Sequence, residues 1–209
     1  SVTNFTVNHT GETKLLAPLT VSTSTQTGTT TLTSGTLNLN SQTLTTRLFS
    51  GTGSTARSIA FGASSIVLNG TLAGVSYLDM ADATGFTQTG TGGFSAAADI
   101  TRIYTSGTTG GTSNNAPNLS ITSGSAIPTI TTGSWFNHLN FSGSTCAPAV
   151  TSLNLNSLTL ASGGTYTNLT PSMTGTGNVN TAGNATLPAL IINNVSGITT
   201  LIAAATFTA

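Results

Sequence analysis

The sequence predicts an all-β chain wound as a right-handed parallel β-helix, a β-solenoid, with a β-sandwich or jelly roll as the alternative. Three observations lead there. Apolar residues alternate with Thr, Ser or Asn through Thr29–Gly70, and strict alternation puts every second side chain on one face of a strand. The motif LNLNS occurs at Leu37–Ser41 and again at Leu153–Ser157, 116 residues apart. Such self-similarity is expected of coils that cannot bury an apolar face alone and stack on neighbours. Charged residues make up only 4%, against about a quarter in ordinary globular proteins.

Taken in order, residues 1–28 form an N-terminal strand or linker segment. Val2, Phe5 and Val7 mark a first strand, followed by the apolar patch Leu15, Leu16, Ala17, Pro18 and Leu19. The run TVSTSTQTGTTT reads as a strand with a solvated face, with a linker as the alternative. Residues 29–105 hold the first coils. Leu32, Leu37, Leu39 and Leu44 carry the apolar beats, and Ile59 with Phe61, then Ile66 with Leu68, repeat them after a turn. Residues 71–105 depart from this rhythm as an irregular insertion, with Asp79, Asp82, Asp99, Tyr77, Tyr104 and Met80. Here LDMADAT reads as a helical turn or a longer loop, and SAAADITRIY as a brief helix before a strand at Ile100–Tyr104. Residues 106–118 are a loop by their turn signals, dividing the chain into two sets of coils. Residues 119–209 return to the alternation and are expected to continue into further coils.

Composition bounds the function. A chain of 209 residues with 37% hydrophobic residues can bury a sizeable core, as one large or two smaller domains. Thr is β-branched and suits a pleated surface, so the polar content does not signal disorder. Lys14, Arg47, Arg57 and Arg102 balance Glu12, Asp79, Asp82 and Asp99. Four scattered cations form no basic patch, which argues against nucleic acid or anionic lipid as a partner. Near-zero charge also removes colloidal protection, so the chain is expected in an assembly or on a surface. Cys146 is the lone cysteine, leaving no intrachain disulfide or thiolate metal cluster. A signal peptide and an 18-residue apolar run are both missing from the sequence, so no membrane insertion is expected. The start without Met and the strand-like rhythm at Ala209 read as part of a longer or processed polypeptide.

Several motifs have a chemical reading beside a structural one. GTGSTA at Gly51–Ala56 matches a dinucleotide fingerprint formally, but that motif works only between a strand and a helix. Another strand-like run, ARSIAFG, follows, so a turn is expected. Asp79, Asp82 and Asp99 are the acids available for a glycan-cleaving pair or a calcium site; solvated or turn-capping acids are the simpler expectation. His9 and His138 show no nucleophile or metal spacing. Trp135, Asn137 and His138 place an aromatic beside an amide, a combination able to contact a glycan; the structural alternative is that Trp135 and Phe136 cover the core. Thr-x-Thr pairs crowd into residues 23–33, whereas an ice-binding solenoid needs one pair per coil at constant spacing. Sequons occur at Asn4, Asn8, Asn69, Asn118, Asn140, Asn168, Asn184 and Asn194, most of them expected by chance in a chain rich in Asn and Thr. No catalytic residue, metal site or cofactor is expected.

The block SGTLNLNSQTLTTRLFSGTGSTARSIAFGASSIVLNGT, with FNHLNFSGSTCAPAVTSLNLNSLTLASGGTY and LPALIINNVSGITTL, resembles the Thr/Asn/Gly-rich repetitive proteins encoded by bacteriophages of aquatic bacteria. The likeness covers residues 29–70 and 117–201 and is compositional, so it transfers no active residue. It implies a non-enzymatic structural or adhesive module of a virion fibre, spike or surface decoration. The partners it implies are copies of itself, as a trimer or filament, other virion or surface proteins, and a host glycan. The alternatives are a bacterial surface adhesin or extracellular filament subunit, a polysaccharide-degrading β-helix enzyme, and an ice-binding solenoid.

Overall fold

A computed structural model describes residues 2–21, 28–69, 76–80, 82, 84–96, 100–105, 116–122, 129–130, 134–142, 153–162, 164–166, 169–174, 177–183, 185–192, 199–202 and 205–207. The described residues form strands and turns, with no helix. In chain order the strands are β1 (Asn4–Lys14), β2 (Leu19–Thr20), β3 (Thr29–Asn38), β4 (Leu44–Thr46), β5 (Leu48–Ser50), β6 (Arg57–Gly62) and β7 (Ser65–Leu68). Next come β8 (Ser76–Met80), β9 (Phe86–Gly90), β10 (Gly93–Ala96), β11 (Ile100–Thr105), β12 (Asn118–Ile121), β13 (Thr129–Ile130) and β14 (Trp135–Phe141). The remainder are β15 (Leu153–Thr159), β16 (Pro171–Met173), β17 (Gly177–Asn180), β18 (Ala185–Leu187), β19 (Ile191–Ile192), β20 (Thr199–Ile202) and β21 (Ala205–Phe207).

Strands pair in parallel with the equivalent strand one coil on, which for most of them is not the neighbour in sequence. Hairpin-built sandwiches pair antiparallel, so the sandwich alternative falls and the parallel β-solenoid stands. One ladder shows the logic. The register Leu19, Leu44, Ile66, Phe94, Leu119, Leu139, Leu158, Val179, Leu201 runs coil to coil along a single line. Leu44 through Val179 in that line are at most 1% exposed. One residue along each strand, the partner line Thr20, Thr45, Val67, Ser95, Ser120, Asn140, Thr159, Asn180 lies on the other face of the sheet, none of it buried. The period-two alternation thus becomes an apolar interior column and an exterior column of hydroxyl and amide side chains, Val67 excepted.

Corners are written into the same pattern. β14 and β15 each place two consecutive residues outward, Asn137–His138 and Asn156–Ser157, which shifts the alternation by one residue. On either side of that shift β15 pairs with different strands, β16 before and β17 after. β3 likewise pairs with β5 and then β6. At this second corner Gly35 has φ +78°, and a Cβ there would lie 2.7 Å from the Gly11 carbonyl oxygen. Only glycine fits under the bulge of β1.

The interior is one hydrophobic cluster from Val7 to Leu187. Phe94 stacks edge-on against Phe49 and Phe61, with centroids 5.0 and 5.5 Å apart, and Phe141 meets Tyr166 at 5.3 Å. Among the described residues the exposed large hydrophobics sit at the two ends of the stack. Val2 and Leu16 lie at one end, and Ile191, Ile192 (61% exposed) and Leu201 at the other.

Two readings need correction. Among the described residues neither the helical turn at LDMADAT nor the brief helix in SAAADITRIY is present: β8 fills Ser76–Met80, and β10 occupies Gly93–Ala96 ahead of β11, while residues 81, 83 and 97–99 lie outside the described residues. The reason is tertiary. Leu78 and Met80 are fully buried when β8 pairs with β5, which outweighs a weak local helix preference. The segment is therefore built into the coils through these strands. Of the expected 106–118 loop, residues 106–115 lie outside the described residues. Asn118 already belongs to β12, and the ladder passes from β10 through β12 to β14.

Candidate functional site

Among the described residues the ladder surface carries a groove of about 450 Å³. Its floor is Gly90, Gly92 and Gly93, at the corner between β9 and β10. Ser65 stands on one side, and Asn118, Ser120, Asn137 and His138 on the other. Register explains the dent. Ser65 pairs with Gly93, and Asn118 with His138, along one line of the sheet. A Cβ on Gly93 would lie 2.6 Å from the Asn118 Cβ, so close coil packing excludes a side chain there. The line loses its outward projection at that coil.

Beside the groove runs an asparagine ladder. Asn118 donates Nδ2 to the Gly92 carbonyl at 3.0 Å and accepts at Oδ1 from Asn137 Nδ2 at 2.8 Å. Asn137 Oδ1 in turn accepts from Asn156 Nδ2 at 3.1 Å. Each amide bridges to the next coil, cross-linking three corners without charge. His138 Nδ1 meets Ser157 Oγ at 2.5 Å. Burial holds the His138 pKa below its ordinary value, because desolvation penalises the imidazolium.

The sequence-derived trio divides here. Asn137 and His138 line the groove, whereas Trp135 is half-buried opposite Asn154 on β15 and is not part of the lining. Phe136 is buried in the core. Ser65, Gly92 and Gly93, from coils far away in sequence, were not among the candidates; nothing in a single strand's pattern marks them.

Arg57 and Asp82 do structural work. Arg57 is 3% exposed and closes two successive turns. Its Nε donates to the Gly51 carbonyl and its Nη2 to the Asp82 carbonyl, both at 2.5 Å. Nη1 reaches the carbonyls of Gly53, Thr55 and Thr84. Burial lowers its pKa, and the Asp82 carboxylate acts in the opposite sense. This settles GTGSTA. A phosphate cradle turns N–H groups inward, but the carbonyls of Gly51, Gly53 and Thr55 converge on a cation. Asp82 Oδ1 accepts from the Thr84 N–H at 2.9 Å, and that bond leads the causes holding its pKa down. It caps a turn, as expected of an isolated acid. Asp79 lies in β8, opposite Ser50 of the preceding coil, and Asp99 and Cys146 lie outside the described residues. His9 is locked into the β1 bulge, accepting from the Gly11 N–H at 2.9 Å and bonding Thr13 at 2.7 Å. Among the described residues no three His, Cys, Asp or Glu side chains gather as a metal site would need.

The sequons fall on different grounds. Asn4, Asn8 and Asn69 are exposed, while Asn118 is committed to the amide ladder and Asn140 donates to Ser120 at 3.4 Å; Asn168, Asn184 and Asn194 lie outside the described residues. Of the Thr-x-Thr pairs, Thr29 and Thr31 face Asn4 and Thr6 on one side and Leu48 and Ser50 on the other, so the motif is not repeated on the adjacent coils.

Fold and site together define a parallel β-solenoid with a neutral, amide-walled groove on its flank. No protein-family model, curated protein or solved structure matches the chain.

Proposed function

We propose that the chain is a non-enzymatic structural and adhesive module of a virion fibre, spike or surface decoration, assembled with copies of itself. The observation that carries this reading is how its few functional groups are used. Arg57 and the Asn118–Asn137–Asn156 ladder brace coil against coil, and Asp82 and His9 fix local turns. Resources that an enzyme would spend on a reacting centre are spent on holding shape. A stack of parallel coils is stiff along its axis, and a nearly uncharged exterior suits a crowded particle better than a freely diffusing protein.

The test is immunogold electron microscopy of the native source material, with antibody raised against this chain. Gold on spikes, fibres or capsid decorations is the expected result. Gold confined to continuous filaments free of particles, or to bacterial envelopes, would replace the virion assignment with a filament or adhesin one. Absence of label from every assembled structure would overturn the structural reading.

A further inference from the structure

We propose that the groove over Gly90–Gly93 binds a neutral carbohydrate, one or two sugar rings of a larger glycan. The proposal deepens the adhesive reading and rests on it. It moves the contact surface away from Trp135 and onto the flank of the coils, where Gly90, Gly92 and Gly93 of the 71–105 segment form the floor.

Three features support it. First, the groove is built. Gly93 is held to glycine by the approach of Asn118, so the depression follows from coil packing and does not depend on a movable side chain. Its volume, about 450 Å³, lies within the roughly 300–1,000 Å³ usual for small-molecule sites. Second, its walls offer donors and acceptors together. The Ser65 hydroxyl makes no hydrogen bond to the described protein; Ser120 accepts from Asn140 and keeps its own O–H. Among the described residues His138 is bonded through Nδ1 alone, leaving Nε2 for a ligand, and Asn137 uses one of its two amide hydrogens on Asn118. A sugar hydroxyl both donates and accepts, which matches this mixed set. Third, among the described residues no Lys, Arg, Asp or Glu lines the groove. A phosphate, sulfate or carboxylate ligand would lose hydration with no counter-charge to replace it. Binding at one site is expected near the millimolar range, and display of many copies multiplies it through effective concentration.

The experiment is saturation-transfer difference NMR on the full chain. Cellobiose, maltose and N,N′-diacetylchitobiose serve as neutral probes and glucuronic acid as the charged control. At least one neutral disaccharide is expected to show transfer. Ser65→Trp, which fills the groove, should reduce it at least fivefold, and Ser120→Trp gives the same test should the first variant misfold. Thr45→Trp, on the exterior face away from the groove, should retain it. The proposal is overturned by no transfer to any neutral disaccharide, by undiminished transfer in folded groove-filling variants, or by transfer to glucuronic acid alone. Failure here is distinct from failure of the assembly reading, which the gold label decides.

Discussion

Asn137 of one coil donates its side-chain N–H to the side-chain carbonyl of Asn118 of the coil before it, at 2.8 Å. The two residues stand 19 apart in sequence and meet because successive corners are stacked in register. The bond is half-buried, so its two partners lack full access to water as a substitute. That relationship makes the amide ladder a stability element with a measurable contribution.

Asn137→Ala removes both ladder bonds of the middle amide and leaves Asn118 Oδ1 and Asn156 Nδ2 without partners among the described residues. A loss of roughly 1–3 kcal/mol is expected, read as a lower urea midpoint at unchanged slope. An unchanged midpoint would show that water replaces the ladder at no cost.

Arg57 should be less replaceable than any surface cation. Arg57→Lys keeps the charge but loses the planar fork that reaches carbonyls in two turns. Destabilisation of about 3 kcal/mol is expected, the upper end for hydrogen bonds to a charged group. Equal stability of the lysine variant in thermal unfolding would contradict the cage.

Acid should weaken the fold through His138. Its folded pKa lies below its ordinary 6.5 because of burial, so below that pH the unfolded chain binds more protons than the folded one. The His138 contribution is therefore complete above about pH 6.5 and declines as pH falls toward the folded value. His138→Gln should flatten the stability curve in that interval. Asp82, whose pKa is also lowered, acts only in the more acidic carboxylate range, so the two are separable by titration.

Phe94 joins the interior column to Phe49 and Phe61 and is 1% exposed. Phe94→Ala should cost about 3–5 kcal/mol by cavity formation. Because the ring lies beneath the groove, loss of sugar binding in this variant would carry no weight unless folding were first verified by circular dichroism.

The coil architecture was legible in short stretches of the chain. Leu37 with Leu39, Ile59 with Phe61, and Ile66 with Leu68 alternate with polar residues, and each of these apolar side chains is fully buried. The sequons at Asn118 and Asn140 and the GTGSTA turn were visible as motifs, while their bonding was not. LDMADAT misled because its acids, Met and Ala break the alternation locally, and only pairing with β5 restores a strand. His138 and Asn137 stood out for their residue types. Their groove partners Ser65 and Gly93 did not, since Ser and Gly are common throughout.

The sequence by itself determined which side chains turn inward, because burial in a strand has a period of two that any short segment displays. It also determined the uncharged exterior, which is composition alone. Only the tertiary structure decided which coils touch. Coil length varies, with Leu119, Leu139 and Leu158 spaced more closely than Ile66 and Phe94, so no fixed repeat announces that Asn118 meets Asn137, that Arg57 reaches the Asp82 carbonyl, or that Ser65 faces Gly93. Those contacts follow from register between strands distant in sequence. Register is set by the sum of interior packing along the whole stack rather than by any one coil.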